Sequence, residues 1–225
     1  MNVLIACEES QRVCIEFRAK GHNAFSCDLQ ECSGGHPEWH INSDCLKIIN
    51  GYCEFWTQDG KYHYFPYKWD LIIAHPPCTY LTCSGNRWFN VEKYGEKALA
   101  RLEARKEAID FFMAFVNADC DKIAIENPIG IMSTQYKKPT QIIHPYYFAE
   151  SEDSIDCTTK ATCLWLKGLS PLTYTIKFEP QYVTRGGKNY SKWYLATENL
   201  PKNMRAKERS KTFLSIAKAM AEQWG

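Results

Sequence analysis

The stretch WDLIIAHPPC, residues 69–78, decides the fold class of this chain. Its apolar run is typical of a strand buried in a parallel sheet, and the two prolines that follow end the strand abruptly. A second run of this kind, KIAIENP, occupies residues 122–128. Residues 96–118, between the two runs, carry apolar side chains at the helical spacing i, i+3, i+4 and i+7, namely Ile109, Phe112, Met113 and Val116. The pattern predicts a strand, a helix and a second strand.

The start of the chain shows the same alternation. NVLIA at residues 2–6 predicts a strand, Val13 and Phe17 recur at helical spacing, and Gly21 suits the end of that helix. NAFSC at residues 23–27 predicts the next strand. Alternating strands and helices favour a parallel sheet with helices on its faces. We therefore predict an α/β fold with a Rossmann-like, doubly wound and mostly parallel sheet.

The predicted organisation is one main domain with a small appended module. Residues 1–131 and 208–225 form the main domain, and its last helix is predicted from the apolar stripe Phe213, Ile216, Ala217, Met220, Ala221 and Trp224. In residues 132–207 prolines and glycines interrupt short strand-like pieces at Thr162–Leu166 and Thr173–Phe178. We expect these residues to form an irregular α+β module. A hairpin is predicted within Gly51–Tyr67, because Asp-Gly suits a tight turn.

The composition is that of an ordinary globular protein. Of the 225 residues, 45% are hydrophobic and 24% are charged, which is enough to bury one good core. Eleven cysteines are spread along a chain too large to need disulfide staples, so a reducing compartment is expected. No apolar segment is long enough for a membrane helix, and no signal peptide precedes the first strand. These features predict a soluble protein of the cytoplasm.

Basic residues are concentrated in one part of the chain, although the net charge is only +1. Residues 185–211 contain eight Lys or Arg side chains and two carboxylates, a composition that suits contact with phosphates as well as a solvated surface. The candidate nucleic-acid-binding residues are Arg87, Lys137, Lys138, Arg185, Lys188, Arg205 and Arg209.

Three chemically active side chains follow three of the predicted strands. Asp28, Cys78 and Glu126 each stand at the carboxyl end of a strand, where open parallel sheets bind their ligands. If the last two strands are neighbours, both side chains reach the same crevice. Prolines beside Cys78 and Glu126 stiffen the backbone that presents them. The pattern predicts a nucleophile and a carboxylate that face one substrate.

The segments around this pair resemble a known enzyme family. IAHPPCTYLTCSG (73–85) is similar to the Pro-Cys motif of DNA cytosine-5 methyltransferases, and IENP (125–128) to their Glu-Asn-Val motif. The chain also resembles short methyltransferase-like proteins of phages and prophages, in which CLWLKGL (163–169), RSKTF (209–213) and IAKAMAEQWG (216–225) recur. This resemblance covers nearly the whole chain. It implies the AdoMet methyltransferase fold and a phage or prophage product acting in a bacterial host.

The resemblance also implies a mechanism. The Cys78 thiolate would add to C6 of cytosine, and Glu126 would bond at N3 and the exocyclic amine. C5 would then accept a methyl group from S-adenosylmethionine (AdoMet), and loss of the C5 proton would release Cys78. A nearby cation should lower the pKa of the thiol, and Arg87 is the candidate. DNA is the expected partner, and a monomer is the expected state.

A cofactor site follows from the same resemblance. Asp28 would contact the ribose, Asp44 the adenine amine, and Ser210, at the start of the last helix, the methionine carboxylate. The loop after the first strand lacks the family's glycines; its residues Glu8 and Glu9 could instead bond the methionine amino group. The candidate residues are Ala6, Cys7, Glu8, Glu9, Ser10, Asp28, Asp44, Pro77 and Ser210.

Other interpretations of the sequence stay open. The same Cys and Glu pair suits another pyrimidine modification or a free nucleotide, and the missing glycine loop favours this alternative. A third hypothesis is a nucleic-acid-binding protein without turnover. Cys32, His36 and His40 have ligand-like spacing, but the glycines and proline among them argue against a zinc site, so no metal is expected.

Overall fold

The structure is a computed structural model that describes residues 1–225. It contains eleven strands and seven α-helices, with 3-10 turns between several of them. The strands are β1 (Asn2–Ala6), β2 (Asn23–Asp28), β3 (His40–Asn42), β4 (Cys53–Trp56), β5 (Tyr62–Phe65), β6 (Leu71–Ala74), β7 (Ile123–Pro128), β8 (Gln141–Ile143), β9 (Thr162–Lys167), β10 (Tyr182–Arg185) and β11 (Lys188–Ser191). The helices are α1 (Arg12–Ala19), α2 (Val91–Tyr94), α3 (Glu96–Val116), α4 (Met132–Gln135), α5 (Lys192–Glu198), α6 (Lys202–Ser210) and α7 (Leu214–Trp224).

Seven strands form the central sheet in the order β3-β2-β1-β6-β7-β9-β8. The first five run parallel to one another, while β9 runs antiparallel to both of its neighbours. β4 pairs with β5 and β10 with β11 in two separate antiparallel hairpins. The first hairpin turns at Gly60, whose φ of 87° confirms the expected Asp-Gly turn. The predicted α/β class with a mostly parallel sheet is confirmed.

The sheet is covered by helices on both faces, because successive residues of a buried strand point to opposite sides. Leu4 and Ile72 belong to the core on the α3 side, together with Phe112. Val3 and Ile73 belong to the core on the other side, which α1 and α7 close. The helices predicted over residues 96–118 and at the end of the chain are confirmed as α3 and α7. The sheet edge that carries the site is therefore held from both sides.

The central sheet extends past residue 132, the boundary expected from the sequence. β8 and β9 belong to the central sheet, and β9 lies beside β7 with Leu164 opposite Glu126. The strand predicted at Thr162–Leu166 is confirmed as part of β9. The strand predicted at Thr173–Phe178 is wrong, because Thr173 bonds the side chain of Gln223 in α7 instead of a neighbouring strand. No helix combines the length and the apolar character needed to cross a membrane.

Candidate active site

A cleft of about 540 Å³ opens at the carboxyl edge of the parallel strands. Its floor comes from the ends of β1, β2, β6 and β7, and α6 with the residues after it forms the opposite wall. A volume of this size suits a small-molecule ligand. Of the residues expected to form the site, the cleft is lined by Cys7, Glu8, Glu9, Ser10, Asp28, Pro77, Cys78, Glu126, Arg209 and Ser210.

The cleft brings Cys78 and Glu126 together on neighbouring strands. β6 pairs with β7 in parallel register, so the turns that follow them share one edge of the sheet. Asn127 Nδ2 donates to the Pro76 carbonyl oxygen at 2.7 Å, and Ile131 N donates to the Leu81 carbonyl oxygen at 2.9 Å. These bonds tie the cysteine loop to the glutamate segment. The segments that carry the predicted pair are thus bonded to each other at one edge of the sheet.

Gly130 allows the two segments to approach so closely. A Cβ atom at this position would stand 2.2 Å from the Leu81 carbonyl oxygen, so any other residue would push the cysteine loop away. The sequence signal for this contact is the glycine two residues after Pro128.

His75 is a member of the site that the sequence prediction missed. Its Nδ1 lies 3.2 Å from Glu126 Oε2, and both side chains are largely buried, with exposed fractions of 7% and 16%. Burial alone would raise the pKa of Glu126, but the hydrogen bond and charge of His75, helped by Lys160, bring it below its usual value. The Nε2 atom of His75 is buried without a partner. Its place at the end of β6 could have identified it by the rule that selected Cys78.

Cys78 is exposed to the cleft, but the surroundings of its thiol raise the pKa overall. The cleft walls withhold water, which raises the pKa of Cys78, and the negative charge of Glu126 raises it further. Lys160 acts in the opposite direction. Arg87, the cation expected to act here, lies outside the cleft with its guanidinium 4.7 Å from the Trp88 ring. The cation that lowers the pKa of Cys78 is therefore Lys160 and not Arg87.

Lys160 reaches the site because β9 runs antiparallel. The amino end of an antiparallel strand lies at the edge where the parallel strands have their carboxyl ends, and Lys160 stands two residues before β9. Its Nζ donates to the Arg209 carbonyl oxygen at 3.0 Å and lies 5.6 Å from the Trp193 ring centre. The sequence prediction missed this residue because the direction of β9 was not predicted.

The loop after β1 reaches the cleft without glycines. Cys7 and Gln11 have φ values of 59° and 58°, in the left-handed region that glycine usually occupies. Gly34 packs against this loop so closely that a Cβ atom would stand 2.6 Å from the Gln11 Cβ. The backbone therefore makes the turn expected of a glycine-rich loop, and a neighbouring glycine supplies the space.

Glu8 is committed to holding α1 in place. Its carboxylate accepts hydrogen bonds from Val13 N at 2.7 Å and Cys14 N at 3.2 Å, the free amides of the first helical turn. Burial raises the pKa of Glu8 to about 7, although the charge of His75 and these two bonds oppose the rise. Glu8 is thus a helix-capping group whose ionisation falls in the neutral range.

This pKa predicts a pH-dependent part of the stability. A carboxyl with a raised pKa binds its proton more tightly in the folded state, so stability falls as pH rises from the usual glutamate value towards 7. We expect Glu8 to lower the free energy of unfolding by up to about 3 kcal/mol over this range. Glu8→Gln, which keeps an acceptor for the two amides, should lack this decline. Urea unfolding at pH 5, 6, 7 and 8 measures it, and parallel pH profiles for the two proteins would contradict it.

Glu9 connects the loop to the opposite wall. Its Oε2 accepts from Ser33 Oγ at 2.5 Å and lies 3.3 Å from Lys207 Nζ on α6. Its Oε1 is buried and has no partner. The residues of α6 that line the cleft follow helical spacing, namely Asn203, Ala206, Lys207 and Ser210. The helical spacing of these four residues was the sequence signal for α6. It was missed because residues of this region were selected by positive charge, and only Lys207 among the four is a cation.

Three residues expected in the cofactor site are placed differently. Ala6 is fully buried in the core, and Asp44 lies outside the cleft, where its carboxylate accepts from Leu46 N at 3.0 Å and begins a 3-10 turn. Ser210 lines the cleft but ends α6, instead of beginning the last helix. α7 begins at Leu214, and Asp156 already accepts from Ser215 N at 2.6 Å in its first turn. Asp28 does line the cleft, and burial raises its pKa.

Of the seven basic residues expected to contact nucleic acid, Arg209 alone lines the cleft. Arg209 Nε donates to Thr197 Oγ1 at 2.9 Å, and Arg205 Nη2 donates to the Leu200 carbonyl oxygen at 2.9 Å. Arg185 pairs with the Glu198 carboxylate at 3.0 Å. These three side chains therefore stabilise the segment around α5 and α6. The other four candidates have exposed side chains outside the cleft, namely Arg87, Lys137, Lys138 and Lys188.

The histidines that follow β2 have partners within the protein. His36 Nδ1 lies 3.0 Å from Glu38 Oε1, and its ring stacks on Trp39 with ring centres 3.8 Å apart. His40 contacts Ser26 Oγ and the Gln30 carbonyl oxygen, both at 2.9 Å. No group of three or more His, Cys, Asp or Glu side chains is arranged to hold a metal ion.

Sequence comparisons find no protein-family match for this chain and no significant match to a curated protein.

Proposed function

We propose that this protein is an AdoMet-dependent DNA cytosine-5 methyltransferase. The observation that carries the proposal is the presence of the Cys78 thiol and the Glu126 carboxylate on neighbouring strand ends of one cleft. Adjacent nucleophile and acid groups are what addition to a pyrimidine ring needs. The reaction proposed for the pair is inferred from the resemblance of the two segments to the methyltransferase motifs.

The strand order supports the proposal. Counted in chain order, the seven central strands lie as 3-2-1-4-5-7-6, with the seventh antiparallel. The order 3-2-1-4-5 of the five parallel strands is that of a Rossmann-like sheet, which is compatible with the proposed methyltransferase fold. A shared fold alone does not establish a function, and the cleft residues carry the chemical assignment.

The cleft residues fit the proposed cofactor. Asp28, at the end of β2, is placed to accept hydrogen bonds from ribose hydroxyls. The loop from Cys7 to Ser10 brings its backbone to the same edge, and the unpartnered Oε1 of Glu9 is an acceptor for a cationic group. AdoMet would supply an electrophilic methyl group beside Cys78. Asp44 lies outside the cleft, so we do not assign it to the adenine.

Four side chains would share the chemistry on the base. Cys78 adds through its thiolate to C6 of cytosine, and Glu126 in its protonated form donates its proton to N3, where negative charge develops, while its other oxygen accepts from the exocyclic amine. His75 fixes the orientation of the Glu126 carboxylate through the 3.2 Å contact with Oε2. Lys160 supplies a positive charge that favours the thiolate of Cys78. Once C5 has accepted the methyl group, transfer of the C5 proton to water would let the bond between C6 and Cys78 break and release the sulfur as a thiolate.

The position of the cations favours a second candidate substrate. Lys160, Lys207 and Lys211 line the cleft itself, whereas most of the residues expected to contact DNA lie outside it. Cations inside a cleft suit the phosphate of a free cytidine nucleotide. DNA methylation would require the target base to leave the duplex and enter the cleft. The test therefore includes both classes of substrate, DNA and a free cytidine nucleotide.

The test is methylation with labelled AdoMet and three substrates in parallel: mixed-sequence duplex DNA, the same DNA as single strands, and deoxycytidine monophosphate. We expect label in 5-methyldeoxycytidine after digestion and mass spectrometry of the DNA samples. Label only in the monophosphate would replace the first proposal by the second. Label in another nucleoside, or in none of the three substrates, would contradict both.

A further inference from the structure

We propose that Glu9 and Lys207 together bind the zwitterionic amino-acid end of the cofactor, with Glu9 on its ammonium and Lys207 on its carboxylate. The inference rests on the proposed function for the identity of the ligand, because the proposed cofactor carries an α-amino acid at one end. It assigns that end to two side chains on opposite walls of the cleft.

One carboxylate oxygen of Glu9 is free to accept a hydrogen bond from a ligand. Oε2 is occupied by Ser33 Oγ and faces Lys207 Nζ, whereas Oε1 is buried and has no partner. The exposed fraction of this side chain is only 7%. A buried carboxylate oxygen without a donor is energetically costly, and an ammonium group would satisfy it.

Glu8 cannot take this role although it lies one residue earlier. Both of its oxygens already accept hydrogen bonds from the first turn of α1. A ligand drawn to these oxygens would compete with the helix cap. The structure separates the two carboxylates that the sequence left equivalent.

Lys207 is suited to the carboxylate because its only ion pair is the one with Glu9, at 3.3 Å. The other lysine and arginine side chains at the end of α6 have their partners within α5 and α6 and none on the loop after β1: Lys211 pairs with Glu208, and Arg209 bonds Thr197. A zwitterion placed between Glu9 and Lys207 would exchange one ion pair for two, each between opposite charges. The Glu9 and Lys207 pair therefore marks the place where the loop after β1 and α6 meet across the ligand.

Isothermal titration calorimetry with three adenosine ligands tests each contact separately. S-adenosylhomocysteine carries both charged groups, its decarboxylated analogue carries only the ammonium, and 5′-methylthioadenosine carries neither. Lys207→Met should weaken S-adenosylhomocysteine about 10-fold and leave the other two unchanged. Glu9→Gln should weaken the first two by a similar factor and leave 5′-methylthioadenosine unchanged. Lys202→Met is the matched control, since Lys202 is an exposed lysine of α6 outside the cleft.

The pattern across ligands separates this role from a structural one. If the ion pair merely holds α6 in place, Lys207→Met will weaken all three ligands alike, and the inference is wrong. If S-adenosylhomocysteine binds but neither variant changes the ratio of its affinity to that of 5′-methylthioadenosine, the inference fails while the proposed function stands. If wild type binds none of the three, the inference and the cofactor of the proposed function fail together.

Discussion

Cys78→Ser should lower the rate of cytosine C5-proton exchange in DNA by at least about 10⁴-fold, because serine is a far weaker nucleophile at neutral pH. Exchange of tritium from C5 into water needs addition and elimination at C6 but no methyl transfer, so it reports the covalent step independently of the cofactor. Covalent capture of an oligonucleotide containing 5-fluorocytosine should disappear in the same variant. Both measurements follow the proposed bond between Cys78 and C6.

Cys83→Ser provides the matched control for this experiment. Cys83 is the second exposed cysteine of the chain and lies five residues from Cys78, but it does not line the cleft. We expect it to retain exchange within about 3-fold of wild type, in the range of neutral surface substitutions. Exchange that survives in Cys78→Ser, or is lost equally in Cys83→Ser, would remove Cys78 from the mechanism.

The pH dependence of exchange should follow the same thiol. Burial and the charge of Glu126 raise the pKa of Cys78, so only a small fraction is thiolate near neutral pH. The thiolate is the nucleophile, and its fraction rises about 10-fold per pH unit below the pKa. We therefore expect exchange by wild type to rise steadily between pH 6.5 and 8.5. A flat profile over this range would show that the reacting group is already ionised.

Glu126→Ala should produce the second large effect, a fall of about 10³-fold in the exchange rate. The Glu126 carboxyl group would give a proton to the ring nitrogen as negative charge moves into the pyrimidine ring, and would accept a hydrogen bond from the amine. Glu126→Gln should fall between this variant and wild type, because an amide can donate a hydrogen bond to the ring nitrogen but cannot deliver a proton. Exchange rates at saturating DNA measure both variants.

Two observations distinguish this chemical role from simple misfolding. Circular dichroism and the affinity for DNA should stay close to wild type in Glu126→Gln, since the amide keeps the shape of the side chain. Exchange by Glu126→Ala within about 10-fold of wild type would contradict the assignment of Glu126 as the group that stabilises the adduct.

The strands that lead to the site could be predicted because their sequences are unusually clear. WDLIIA and KIAIE are continuous apolar runs closed by prolines, and such runs suit a buried parallel strand. The direction of β9 could not be read in the same way. An apolar strand of this kind pairs equally well in either direction, and only its neighbours β7 and β8 determine which one is adopted.

The candidate site was predictable where it follows strand ends and unpredictable elsewhere. Cys78, Glu126 and Asp28 obey the rule that ligands bind beyond the carboxyl ends of parallel strands. Lys160 and Lys207 enter from an antiparallel strand and from a short helix in the last third of the chain, so their position depends on tertiary contacts. The absence of glycine after β1 suggested a different pocket, yet Cys7 and Gln11 adopt the left-handed conformation themselves.

The insertion of β9 between β7 and β8 sets the order in which this sheet is completed. β8 precedes β9 in the chain but pairs only with it, so it has no place in the sheet until β9 has docked. On a ribosome, β7 would emerge with an unpaired edge and keep it until about 40 further residues had been made, during which the edge is open to other chains. The core beneath α1 stays uncovered for longer still, because α7, which covers it, follows all of the strands in the chain. The late segments of this protein therefore protect it from aggregation as well as complete its cleft.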